Sequence, residues 1–98
     1  MKKRLFVVDY RKDGEYRHHA IELGQLEDVT DSEIVEVCHK YVGSDTTLDS
    51  VIEVFADMDA AELNFISETP LCALFPMRPL YVNMDEVKKT RGMMGLTV

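Results

Sequence analysis

Between Glu22 and Glu68 the chain has one basic residue, Lys40, among thirteen acids. With one cation, the stretch as a whole cannot neutralise itself by the usual helical pairing of a Glu with a Lys four residues on. The acids must face water, counterions or a basic surface. Long apolar runs are also missing. After the basic start Lys2–Arg4, the hydrophobic run stops at Leu5–Val8, too short for a secretion signal. No later segment could span a bilayer, so the expected location is the cytoplasm. The two cysteines, Cys38 and Cys72, are 34 residues apart with no Cys-x-x-Cys spacing. Neither a disulfide framework nor a zinc site is signalled, and both read as buried thiols.

What is present is an ordinary globular composition. The 98 residues are 46% hydrophobic and 30% charged, too apolar for a wholly disordered chain and short enough for a single domain, 1–98. The net charge of −7 is unevenly spread: residues 1–21 carry +3, residues 22–68 carry −12 and residues 69–98 carry +2.

The segment RLFVVDYRKDGEYRHHAIEL is two strand-like runs around Asp13-Gly14, the strongest short-range hairpin signal. A two-residue type I′ turn predicts a hairpin over 1–23. It pairs Lys12 with Glu15, Tyr10 with Arg17, Val8 with His19 and Phe6 with Ile21 on one face, and Val7 with Ala20 and Asp9 with His18 on the other. VTDSEIVEVCHKYVG reads as a helix. Thr30 or Asp31 caps it, Glu33 completes a capping box and Gly43 ends it. Its predicted core stripe is Ile34, Val37, Cys38, Tyr41 and Val42, with Glu33, Glu36 and Lys40 opposite.

DTTLDSVIEVFAD, residues 45–57, has an acid at every fourth position. As a strand, Val51–Ala56 has the β-branched bias but fails strict alternation, because Ile52, Val54 and Phe55 cannot share a face. As a helix capped by Thr46, it puts Leu48, Val51, Ile52, Phe55 and Met58 on one stripe, and the count of spacings favours this reading. DAAELNFIS either extends it or forms another short helix after a bend near Asp57–Asp59, giving an acidic helical region over 30–66. In 70–98, Pro70, Pro76 and Pro79 divide the chain into short extended pieces before an apolar tail. Over 80–91, strand–turn–strand is slightly favoured over a short helix capped by Asn83.

The expected fold class is α+β: a small single domain with an N-terminal β-hairpin, two or three acidic amphipathic helices packed on an antiparallel sheet, and short C-terminal strands completing that sheet.

Candidate chemistry is sparse. His18 and His19 are adjacent, so on a strand they point to opposite faces. Cys38 and His39 diverge by about 100° on a helix, and no metal or other cofactor is expected. Residues 57–68 imitate a calcium loop, but Glu62 stands at its glycine position and Ala61 at a ligand position. No nucleophile elbow or phosphate loop occurs. Asp9 opposite His18 is the one acid–base pairing, and a cross-strand polar contact is its simpler reading. The N-terminal cations alternate with Phe6, Tyr10 and Tyr16, but a pI near 4.8 argues against direct nucleic-acid binding.

The acids are the remaining lead. The bland reading is a solvated face. The sharper one joins Asp45, Asp49, Glu53 and Asp57 with Glu33, Glu36, Asp59 and Glu62 in an anionic surface that docks into the basic groove of a nucleic-acid-handling protein. In size and charge the chain is similar to acidic proteins that imitate nucleic acid, including small phage products that block restriction or CRISPR nucleases. That likeness rests on composition and covers no motif. The expected function is therefore that of a small acidic, non-enzymatic binding protein and inhibitor. The alternative is a homo-oligomeric structural or accessory protein using the apolar tail, residues 92–98, as its interface.

Overall fold

The computed structural model describes residues 3–24, 28–65 and 75–85. The hairpin forms as its turn chemistry dictates. β1 (Arg4–Lys12) and β2 (Glu15–Leu23) flank Asp13 and Gly14, both at positive φ (53° and 78°), as a type I′ turn requires. All six cross-strand pairs read from the sequence are present.

α1 (Asp31–Val42) begins at Thr30, whose side chain accepts a hydrogen bond from the Glu33 N–H, and ends at Gly43. Its buried face is rotated from the expected stripe. Ile34, Val35, Glu36, Cys38 and His39 are buried, whereas Val37 and Tyr41 are exposed. Two contacts account for the rotation. The His39 imidazole is satisfied by the Thr46 carbonyl, with Nε2 at 2.8 Å, so its burial leaves no polar group stranded there. Tyr41 keeps a partner at the surface by stacking on His19, with ring centroids 5.6 Å apart.

The favoured helical reading of residues 45–57 is corrected by the structure: Thr47–Val54 is a strand, β3, antiparallel to β1. Its register shifts between Asp9 and Tyr10, so that Ser50 faces Asp9 while Leu48 faces Tyr10. Asp49 is thus an extra residue, and the bulge lets Leu48 and Val51, three apart, point to the same face. A spacing of three is also what a helix produces.

After a bend at Asp57–Met58 comes α2 (Ala60–Phe65), the separate short helix that was one of the two expectations there. β4 (Met77–Leu80) pairs antiparallel with β3 and completes the sheet in the order β2-β1-β3-β4. The favoured strand over Leu80–Val82 ends at Leu80. Asn83 Oδ1 instead accepts from the Asp85 N–H at 3.1 Å, and Met84 and Asp85 are helical. Cys72 and the apolar tail, residues 92–98, lie outside the described residues.

The helices cover opposite faces of the sheet. Phe6, Val8, Ile21, Leu48, Val51 and Leu80 pack with Ile34, Val35 and Cys38 of α1. Leu5, Val7, Ala20 and Val54 pack with Leu63 of α2. Burying each of the larger apolar side chains contributes about 1.5–3 kcal/mol relative to exposure. The α+β class with helices on an antiparallel sheet therefore holds. No helix among the described residues is long and apolar enough to cross a membrane.

Candidate functional site

Glu53 occupies a central strand in a run of apolar neighbours, and its residue is only 4% exposed. A carboxylate taken out of water must be paired, and two arginines pair it. Arg4, from β1, donates Nε to Oε2 at 2.7 Å and Nη2 to Oε1 at 2.8 Å. Arg78, opposite Glu53 on β4, donates Nη2 to Oε1 at 3.0 Å and reaches Asp31, in the first turn of α1, through Nη1 at 2.9 Å. The Arg4 guanidinium also lies 5.4 Å from the centre of the Phe6 ring. These bonds, led by that from Arg4, hold the Glu53 carboxyl below its ordinary pKa, and both guanidiniums are held above theirs. The cluster joins β1, β3, β4 and the start of α1.

The other acids singled out from the sequence do not share one face. Glu36 is buried on α1, and Glu33 makes half of the expected capping box: its N–H donates to Thr30 Oγ1, while its Oε1 accepts from that hydroxyl, not from the Thr30 backbone, both at 3.2 Å. Asp59 and Glu62 form a second capping box at the start of α2: Asp59 Oδ1 accepts from the Glu62 N–H at 2.8 Å, and Glu62 Oε2 accepts from the Asp59 N–H at 3.3 Å. Asp49 sits at the bulge and accepts from Arg11 Nε at 3.0 Å. Asp45 and Asp57 are exposed in the loops flanking β3. A strand with alternating faces, not a helix with a period of 3.6, thus separates the four-residue ladder into one buried ion-paired acid, one strand-surface acid and two loop acids.

The Asp9–His18 pair acquires a third member. Ser50 lies beside Asp9 on the other flank, and its Oγ donates to Asp9 Oδ2 at 2.9 Å. Ser50, Asp9 and His18 therefore cross three strands in a row, bordering a surface hollow of about 320 Å³ that Tyr16, Arg17 and Asp49 complete. The carboxylate is in the middle, with the hydroxyl bonded to it directly. Activation of a serine by histidine needs the imidazole next to the hydroxyl, and here His18 is on the far side of Asp9. His18 and His19 lie on opposite faces of β2, as the strand period requires.

The partners of Glu53, Arg4 and Arg78, escaped the sequence reading. The available signal was the acid itself: a carboxylate inside VIEVF implies a cation held against it once that run is a strand rather than a helix. Compared with protein-family models, with curated proteins and with solved structures, the chain gives no match.

Proposed function

We propose that this is a small acidic binding protein, without catalysis of its own, whose anionic exterior engages a basic groove on a nucleic-acid-handling protein and so acts as an inhibitor. The observation that carries this reading is how the charges are distributed between internal and external partners. Lys3, Arg4, Arg11, Arg17 and Arg78 each have an acid within 3.3 Å or less. Asp13, Asp28, Asp45, Asp57, Asp59 and Glu62 are exposed, and no ion pair to them occurs among the described residues. Five of the seven cations among the described residues are thus paired with acids of the same chain, and the described exterior keeps a surplus of negative charge. Such a surface speeds encounter with a basic groove and competes there with phosphates. Glu53 and Glu36, being buried, are not part of the proposed contact surface; of the exposed acids, which lie on more than one face, Asp57, Asp59 and Glu62, neighbours at the β3–α2 connection, are its centre.

The test is a charge-reversal variant, D45K/D57K/E62K, compared with the parent in binding to a basic nuclease captured from extracts. Parent binding that double-stranded DNA competes away and that the variant loses, at an unchanged fold by circular dichroism, supports the proposal. Capture indifferent to both DNA and charge reversal overturns it.

A further inference from the structure

We propose that the open half of the β2 edge pairs with the same edge of a second copy, in an antiparallel ladder centred on Tyr16. Among the described residues the sheet ends at β2 on one side and β4 on the other. The β4 edge is blunt, four residues long with Pro79 inside it, and proline cannot donate to a ladder. The β2 edge is guarded over its C-terminal part. There the Ala20 N–H, turned away from β1, donates to Asn64 Oδ1 of α2 at 2.8 Å. Backbone direction alternates along a strand, so Tyr16, four residues earlier, also turns its N–H and C=O outward. The two-residue turn agrees: Lys12 and Glu15 close the hairpin as a hydrogen-bonded pair, and the next pair, Arg11 with Tyr16, is not one. Tyr16 is 80% exposed.

A second copy fits here because the edge is self-complementary in one register. With Tyr16 opposite Tyr16 of the other copy, each Glu15 faces an Arg17 and each Arg17 a Glu15, and like charges never meet directly. Shifting the centre to Arg17 sets the two guanidiniums opposite one another. Shifting it to His18 brings Ala20 into the ladder, where Asn64 already occupies the N–H. In the Tyr16 register, residue 20 of each copy falls opposite position 12 of the other, beyond the end of β2. The α2 guard of one copy therefore lies past the hairpin tip of its partner rather than in its way. The ladder is short, so the dimer is weak, forming between roughly 10 μM and 1 mM.

Sedimentation velocity of the full chain across that concentration range tests this. Mass should rise toward the dimer, E15R should weaken association at least tenfold by placing Arg opposite Arg, and the swap E15R/R17E should restore it to within about threefold. Y16P, which removes the central edge N–H without touching the β1 ladder, should also abolish it. Circular dichroism checks that each variant is folded, and the swap keeps the test decisive if Y16P is not. A chain that stays monomeric at 1 mM overturns the proposal. So does a dimer that ignores E15R, including one lost only on deletion of residues 92–98.

Discussion

Arg4 and Glu53, 49 residues apart in the chain, meet as a two-pronged pair with both bonds under 3 Å, from Nε to Oε2 and from Nη2 to Oε1. The flat guanidinium fork matches the carboxylate, which a lysine in place of Arg4 would not reproduce. Because Arg78 approaches the same carboxylate from β4, Glu53 ties together three strands.

Glu53→Gln should lower stability by about 1–3 kcal/mol, since two charged donors keep only a neutral acceptor. Glu53→Lys places a third cation between two guanidiniums and should cost about 3–5 kcal/mol. The pH dependence follows from the lowered carboxyl pKa. The folded state binds that proton less readily than the unfolded state. Its stabilisation is complete above the unfolded carboxyl's range and is lost as pH falls through the lower, folded value. Urea titrations from pH 7 downward should therefore show the gap between the parent and Glu53→Gln closing on the acid side; a constant gap would contradict the pairing.

Asn64→Ala should expose the edge of β2. The Ala20 amide loses its acceptor, so its hydrogen exchange should accelerate while that of Ile21, on the β1 side, changes far less. The accompanying loss of global stability should be about 1 kcal/mol.

Gly43→Ala should be costly for two separable reasons. Gly43 has φ 121° and ψ 137°, which side-chain-bearing residues rarely adopt, and an added Cβ would come within 2.9 Å of Asp45 Oδ1. The expected loss is about 1–3 kcal/mol, read as a fall in melting temperature. Adding Asp45→Ala should recover only the steric part and leave the backbone strain.

Cys38 is fully buried, and burial pushes its thiol up to about 12. At pH 8 the folded protein should hold it as an unreactive thiol. Alkylation mapped to Cys38 by mass spectrometry should be slow in native buffer and rise steeply across the urea transition. Rapid labelling without denaturant would place the thiol at the surface.

Neighbouring residues were enough to specify the hairpin and both ends of α1. A two-residue Asp-Gly turn leaves only one in-phase pairing, and all six expected pairs are present. Thr30 and Gly43 bond backbone groups within about one helical turn of themselves. The rotation of α1 was less legible, because burying His39 depends on the Thr46 carbonyl in the connection that follows the helix.

β3 and the acids it carries depended on contacts the local pattern does not contain. A central strand with helices on both faces is apolar on both, so Val51 and Ile52 are adjacent yet belong to different cores, and simple alternation disappears. The bulge at Asp49 then makes Leu48 and Val51 share a face three residues apart, the spacing by which a helix is recognised. The charge surplus between residues 22 and 68 was plain from composition. Whether each acid became a buried ion partner, a helix cap or an exposed charge was decided only when β1, β4 and the helix starts brought Arg4, Arg78 and the free backbone N–H groups to them. Coulomb pairing and hydrogen bonding act over a few ångströms of space, however far apart the partners are along the chain.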